Sequence, residues 1–524
     1  MNEEHNMNLE DLGTYYESIL DKEVRKERGI YYTPSPIVDY MVENTLGELL
    51  KSKTQEEAAK IKIVDPACGG GVFLLGAYQF LLDWHEKHFG KLTQEKRHNI
   101  LADNIFGVDI DPLAVEITKY CLSMKCSEGK DFSLDLGENI HCGNSLIETE
   151  FNWHRAFPYV FQQGGFDIVI GNPPYGAEYP AEHKKYFKEH YQSAKTIKRA
   201  GNCVAVQKGS MDTFSLFIEN GFNNLKESGY LLFIVPLSVI SSDSMTALHA
   251  LLEKHCSVIK VASFCDRPQQ IFRHSHKKTT IIGFRKDNQK NKHIYATQMY
   301  RKDKNTPLES FVKTIRFIDV AKLGLNGRYA KISLPVEKRI LKKLFAKGHT
   351  PIRDLIDADG KPIYYRSTGG MYYNVVTNKT KESTKEKSLY FDKKFTDVIG
   401  AVLSSSLFWW YQQVYTNGLD IKSYEIESFP IPMKKLTPAV RQKIEKLYKR
   451  YLCDIERHVI EHETQEYKHV TQFKEYKIRY SKPLIDEIDD LIAPLYGLTD
   501  EERDFIKNYE IKFRVDDLPE GETQ

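Results

Sequence analysis

The 524-residue chain carries 74 Lys+Arg against 72 Asp+Glu, for a formal net charge of +2, with 28% charged and 41% hydrophobic residues. This composition fits a globular protein rather than a disordered one, and the length calls for more than one domain, since single cores stop growing near ~250–300 residues. No apolar run reaches the ~18 residues of a membrane span, and near-zero charge argues at face value against a nucleic-acid partner.

Met1–Glu10 is acidic and polar, unlike a secretory signal. Eight cysteines without a CxxC pair read as reduced, cytosolic thiols. Neither they nor the seventeen histidines show metal-ligand spacing, so no metal site is expected.

Residues 1–60 read as helical, with Ile37, Tyr40, Met41, Leu46, Leu49 and Leu50 on one face. Residues 61–286 alternate strand and helix. Strands are expected at Lys62–Ala67, Ile105–Ile110, Asn139–Gly143, Asp167–Gly171, Tyr230–Pro236, Val258–Phe264 and Thr279–Arg285. Several are near-continuous apolar runs, as strands buried on both faces should be. Helical patterns lie between them at Val72–Glu86, Pro112–Lys125, Asp212–Glu227 and Ser244–His255, and a further helix is expected within 79–100. Seven such strands imply a doubly wound α/β sheet ending in an antiparallel hairpin. Beyond residue 300 the alternation is lost. Residues 301–435 mix short strands, turns such as Asp359-Gly360 and an aromatic helix at Phe408–Tyr411, which reads as core. Residues 436–524 return to helix, with Leu484, Ile485, Ile488, Leu491, Ile492 and Leu495 on one face.

Three strand ends carry chemistry. Asp65-Pro66-Ala67-Cys68-Gly69-Gly70-Gly71 joins the first strand to a helix. Glycines there allow close approach of a ligand to the backbone beside a helix N-terminus. Leu74 breaks the dinucleotide GxGxxG, and a carboxylate ahead of the glycines suits a cationic amino group rather than a phosphate. A bare tight turn explains the string about as well on its own. Asp109, at the tip of strand two beside Ile110, is placed to accept from a ribose diol, while Asp111 suits a cap for the helix at Pro112. Asn144, after strand three, could meet an adenine edge, or serve only its turn. Together these contacts describe S-adenosylmethionine better than a nucleotide.

Asn172-Pro173-Pro174-Tyr175 ends the fourth strand. Two prolines remove two donors and hold the nearby carbonyls rigid. The Asn172 oxygen adds a second acceptor, so one exocyclic amino group can be held by both hydrogens. Tyr175 offers a face to a planar base and to a sulfonium.

The order of these motifs resembles that of the gamma-class DNA adenine methyltransferases, the TaqI-like methylases of type II restriction–modification systems, over roughly residues 13–286. Tyr31-Tyr32-Thr33-Pro34 resembles that family's N-terminal cofactor motif. The resemblance implies a Rossmann-like methyltransferase domain (1–300), a mixed α+β target-recognition domain (301–435) and a C-terminal helical region (436–524). It implies S-adenosylmethionine held by Tyr32, Thr33, Asp65, Ala67, Cys68, Gly69, Gly71, Asp109, Ile110, Asn144 and Asn172. It implies catalysis by Asn172, Pro173, Pro174 and Tyr175, with the flipped adenine between Tyr175 and Phe272; Phe264 is the second candidate for that aromatic. The implied reaction is in-line transfer of the methyl to adenine N6, with positioning rather than a metal carrying the rate. The implied setting is the cytoplasm of a bacterium or archaeon, with double-stranded DNA as partner and a separate restriction endonuclease or defence subunits alongside. Two alternatives stand beside it: a non-catalytic DNA-recognition subunit, and a protein or RNA methyltransferase sharing the Asn-Pro-Pro-Tyr string. No acid–acid–Lys nuclease pattern is seen, so a fused restriction enzyme is not expected.

Charge is distributed unevenly along the chain. Residues 183–208 hold seven Lys/Arg and one acid, 267–304 eleven and two, and 331–400 fifteen and eight. The ends oppose them, with seven acids and one Lys in 1–24 and thirteen acids against five bases in 481–524. Lys195, Lys198, Arg199, Lys208, Lys277 and Lys278 are expected on the DNA backbone. Residues 194–209 read as a loop that orders on DNA.

Overall fold

A computed structural model describes residues 33–128, 134–198, 205–271, 277–287, 289, 292–368, 373–374, 376–380, 385–466 and 469–515, leaving aside the side chains of 205–206, 463–466 and 469–473. It divides into two compact units, Met1–Tyr329 and Ala330–Gln524.

The first unit is built on one nine-stranded sheet. A helical stretch beginning with α1 (Ser35–Val42) leads into β1 (Ile63–Asp65). Then come α2 (Val72–Phe89), α3 (Gln94–Asn104), β2 (Ile105–Asp109), α4 (Pro112–Cys126) and β3 (Ile140–Cys142). β4 (Phe166–Gly171), α5 (Ala181–His190), α6 (Thr213–Asn224) and β5 (Leu225–Pro236) follow. α7 (Thr246–His255) precedes β6 (Cys256–Phe264), β7 (Thr279–Lys286), β8 (His293–Tyr300) and β9 (Ile318–Asp319). The strand order is β9-β8-β6-β7-β5-β4-β1-β2-β3. β1 pairs in parallel with both β2 and β4, and β5 in parallel with β4. β7 runs antiparallel between β5 and β6.

All seven strands read from the sequence form, and the last two are antiparallel neighbours as expected. β3 aside, they are mostly buried, and the residues responsible are aliphatic: Ile63, Val64, Ile105, Val108, Ile168, Ile170, Ile234 and Ile282 are nearly inaccessible. Each such side chain contributes about 1.5–3 kcal/mol on burial. The extra helix of the first crossover is α3. β8 and β9 were not anticipated, because β8 follows a basic, polar stretch that masks its short apolar alternation. They carry the sheet to residue 319, so a boundary at residue 300 falls inside the first unit.

Of residues 194–209, those at 194–198 and 205–209 are described. Ile197–Lys198 pairs antiparallel with Ala205–Gln207. Its root is closed where the Ser210 N–H donates to the Ser193 carbonyl (2.8 Å). The buried Glu219 carboxylate of α6 accepts from the N–H groups of Gln192 (2.8 Å) and Ser193 (2.7 Å).

The second unit holds α8 (Pro335–Leu344) and an antiparallel sheet of β10 (Ile356–Arg366), β11 (Val376–Thr377) and β12 (Glu386–Phe391). The expected turn at Asp359-Gly360 is instead an irregularity within β10. Helices α9 (Thr396–Ser404), α10 (Ser406–Tyr415), α11 (Pro438–Ile455), α12 (Lys482–Tyr496) and α13 (Asp500–Asn508) complete it. α9 packs on α11 and α12, so residue 435 does not separate two bodies. The expected helical tail is interrupted by a hairpin of β13 (Val459–Glu466) and β14 (His469–Tyr476). Phe408, Trp409 and Trp410 are buried in the core, as read.

The N-terminus of α10 is capped twice. Ser405 Oγ accepts from the Phe408 N–H (3.1 Å), and the buried Asp489 of α12 accepts from the Ser406 N–H (3.0 Å). Asp489→Ala should therefore cost about 2 kcal/mol, read as a lower urea midpoint with an unchanged slope. An unchanged midpoint would deny Asp489 this role.

Candidate active site

The carboxyl ends of β1, β2 and β4 meet because β1 pairs with β2 on one side and β4 on the other. The turn after β1 holds two left-handed glycines, Gly69 (φ 52°) and Gly71 (φ 82°). A Cβ on Gly71 would lie 2.9 Å from the Thr118 side chain, whereas the corresponding position on Gly69 opens into free space. Thr118 of α4 underpins the turn by donating to the Gly69 carbonyl (2.7 Å). Cys68 ties it to β2 through its N–H and the Val108 carbonyl (3.0 Å), and its thiol is buried. Ser145 donates to the Pro66 carbonyl (2.8 Å).

Asp65 is only 2% exposed. Its Oδ1 accepts from the Ala67 N–H (3.0 Å). The carboxylate lies flat against Gly171, where any Cβ would stand 2.6 Å from Oδ1. Burial pushes its pKa up to about 8, with Asp109 adding to the rise. Asp109 accepts from the N–H groups of Gly69 (2.8 Å) and Asp111 (2.9 Å). Burial raises its pKa too, against the opposing pull of those N–H groups. Asp111 caps α4 as read, accepting from Leu113 N–H at 2.9 Å. Ile110 beside it is 64% exposed, an apolar face presented at a strand tip.

Asn172 follows β4. Its Nδ2 donates to the hydroxyl of the buried Thr33 (3.1 Å). That bond fixes the amide's orientation and leaves Oδ1 as the end suited to accept from a substrate. Tyr175 is buried, and the Lys277 ammonium stands 4.9 Å from its ring centroid. The sequence reading left that ring face for a base; here a cation covers one side of it, within cation–π range.

Other expected residues divide. Asn144 lies near the cluster, but its amide serves its own turn. Nδ2 donates to Glu150 (2.9 Å) and Oδ1 accepts from Leu146 N–H (3.3 Å). Phe264 is buried among Tyr300 and Phe311 in the sheet core. Tyr32, Phe272 and Arg199 lie outside the described residues. Lys195 and Lys198 are exposed. The Lys208 ammonium pairs with Asp243, and the Lys278 carbonyl accepts from Leu237 N–H (2.9 Å). The sequence reading missed Thr33 as a partner of Asn172, Thr118 beneath the glycines, and Gly171 as the space Asp65 occupies. Of these only Gly171 left a trace, as a glycine ending a strand. Among the described residues no group of three or more His, Cys, Asp or Glu side chains gathers as for a metal ion. No described helix is long and apolar enough to cross a membrane.

A largely parallel sheet in this order, with an acidic glycine turn and an Asn-Pro-Pro-Tyr turn at adjacent strand ends, has the form of a Rossmann-like methyltransferase fold. Residues 103–272 match the Eco57I restriction-modification methylase model. The Escherichia coli type II restriction enzyme and methyltransferase RM.Eco57I is 29% identical over 328 residues, covering 56% of this chain and 31% of that protein. The adenine-specific methyltransferase BrxX of Escherichia coli O9:H4 is 30% identical over 231 residues, 36% of this chain and 18% of that one. The chain thus spans under a third of either relative. Among solved structures, the Type IIL restriction-modification enzyme MmeI in complex with DNA superposes with a TM-score of 0.61. It covers 96% of this chain and 81% of its own at 14% identity, a likeness of fold.

In the unfolded chain Asp65 titrates near ~3.9. Between there and about 8 the folded protein holds a proton that the unfolded chain has released. Stability therefore falls as pH rises through that window. Asp65→Asn should flatten this fall and melt higher than the parent at pH 8, by about 1–3 kcal/mol in stability, with little difference near pH 4. Scanning calorimetry across the range checks this; parallel pH profiles would refute it.

Proposed function

We propose that the protein is a site-specific DNA methyltransferase that methylates N6 of a flipped-out adenine in double-stranded DNA, within a restriction–modification or related defence system. The observation that carries the reading is Asn172 at the end of β4, oriented by Thr33 and one strand away from the buried Asp65.

The residues present fit S-adenosylmethionine. Asp65 is a carboxyl whose pKa burial and the neighbouring Asp109 push up, and the amino group of the cofactor's methionine part would hold it ionised. Gly69 leaves open the space a side chain would fill. Asp109 suits the ribose diol and Ile110 the adenine face. When bound, the cofactor supplies an electrophilic methyl on a sulfonium.

The chain's own groups do the rest. The Asn172 oxygen and the Pro173 carbonyl accept both hydrogens of the target amino group. That turns the nitrogen lone pair out of conjugation with the ring. Tyr175 gives the extruded base a stacking face, and Lys277 must leave that side if the base takes it. An amino group paired inside a duplex cannot reach these acceptors, so the base leaves the stack. Lys195 and Lys198, both exposed, supply phosphate contacts, and Lys277 joins them once it has left the Tyr175 ring. The second unit is proposed to carry target recognition.

Asn172→Ala should abolish N6-methyladenine formation while calorimetry shows S-adenosylmethionine affinity within about 3-fold of the parent. Full activity in that variant would refute the assignment. Thr33→Val removes the hydroxyl that orients the amide. It should lower kcat about 10-fold or more with a smaller change in KM for DNA; an unchanged kcat would deny Thr33 that role.

A further inference from the structure

α11 of the second unit is amphipathic in an informative way. Ile444, Leu447, Tyr448, Tyr451 and Ile455 form its buried face. Lys446, Arg450, Cys453 and Arg457 recur at steps of four, three and four, which puts them on one stripe opposite that face. This stripe lines an open cleft of about 610 Å³, together with Lys449, Asp454, Tyr480, Ser481, Pro483 and Leu484.

The charges there are cancelled only in part. Arg450 is held by Glu487 at 2.9 Å, and Lys449 lies 3.8 Å from Asp397. Asp454 is engaged by the Ser481 hydroxyl at 2.7 Å. Among the described residues no ion pair involves Lys446 or Arg457, and both are exposed. Tyr480 is 54% exposed at the rim, with the Arg479 guanidinium 4.9 Å from its ring centroid. A solvated charge face would spread cations over a convex surface and bury its aromatics. Here two cations free to bind converge on a concavity beside an exposed tyrosine.

We infer that this cleft binds phosphate groups of the DNA backbone, as a grip on the second unit separate from that of Lys195, Lys198 and Lys277. The inference rests on the DNA-methyltransferase reading above. Phosphodiester oxygens fit its chemistry: Lys446 and Arg457 supply charge, Arg supplies planar paired donors, and Tyr480 covers a sugar. Backbone contact of this kind carries no sequence information, so it would raise affinity for all duplexes alike.

The test uses the full chain and the double variant Lys446→Glu/Arg457→Glu, with both positions exposed and outside the catalytic cluster. Fluorescence anisotropy with a short duplex is read at several salt concentrations. The expected result is about a 10-fold or greater loss of affinity on cognate and unrelated duplexes alike. The slope of log affinity against log salt should fall in magnitude by about 1.8, as for two lost contacts. S-adenosylmethionine affinity and melting temperature should stay those of the parent. Unchanged DNA affinity and slope overturn the inference while leaving the methyltransferase reading intact if the parent still methylates DNA. A parent that binds no duplex overturns both. Calorimetry with inorganic phosphate separates the remaining source. Phosphate binding lost in the variant, with DNA binding kept, would assign the cleft to a free phosphate compound and overturn the DNA contact.

Discussion

The site depends on one topological reversal. β1 lies between β2 and β4, so the chain leaves it toward one edge of the sheet and later returns on the other side. The turns after β1 and β4 therefore diverge and leave a crevice at the carboxyl edge, where doubly wound folds bind ligands. Asp65 sits at that divide, buried against Gly171, so the residue suited to a cofactor and the residue before Asn172 touch directly. Any side chain at 171 would push the carboxyl out of the crevice. The arrangement disfavours an ionised Asp65, because burial raises its pKa.

Around that point the protein spends its hydrogen bonds on holding backbone rather than on display. Thr118, Cys68, Ser145 and Asp109 each secure the glycine turn from a different direction. Thr33 secures the amide of Asn172. The proposed reaction, run by positioning, needs such support, because its rate rests on where the acceptors stand. The strand pair of Ile197–Lys198 and Ala205–Gln207 follows the same logic: Glu219 holds the backbone of Gln192 and Ser193 ahead of it. The chain's near-zero net charge is a sum of opposed local balances, with basic clusters at the catalytic turns and along α11, and acidic residues concentrated in the C-terminal helices.

Much of the first unit was legible because its signals are local. Ile105–Asp109 and Phe166–Gly171 are apolar runs ended by polar or proline turns, and they fold as read. The polar β8 was missed because its pairing with β6, not its composition, makes it a strand. The hairpin within 459–476 was missed for a similar reason: its charged alternation pairs across strands, as between His462 and Glu475, and suggests no apolar face. Asn144 and Lys277 show the same limit at the site. Type and position suggested a ligand contact for one and a phosphate contact for the other. Only spatial neighbours revealed that Glu150 holds the first and that the second stands over Tyr175.

The sequence by itself determined the strand-helix alternation, the two turns that carry the chemistry and the family they resemble. These are encoded in short stretches whose periodicity, glycines and prolines act on their own backbone. Tertiary structure alone decided which of those stretches meet. The approach of Asp65 to Gly171, of Thr33 to Asn172 across 139 positions, and of Lys277 to Tyr175 arises from the strand order. Strand order is set by packing many buried side chains at once, and no single segment contains it.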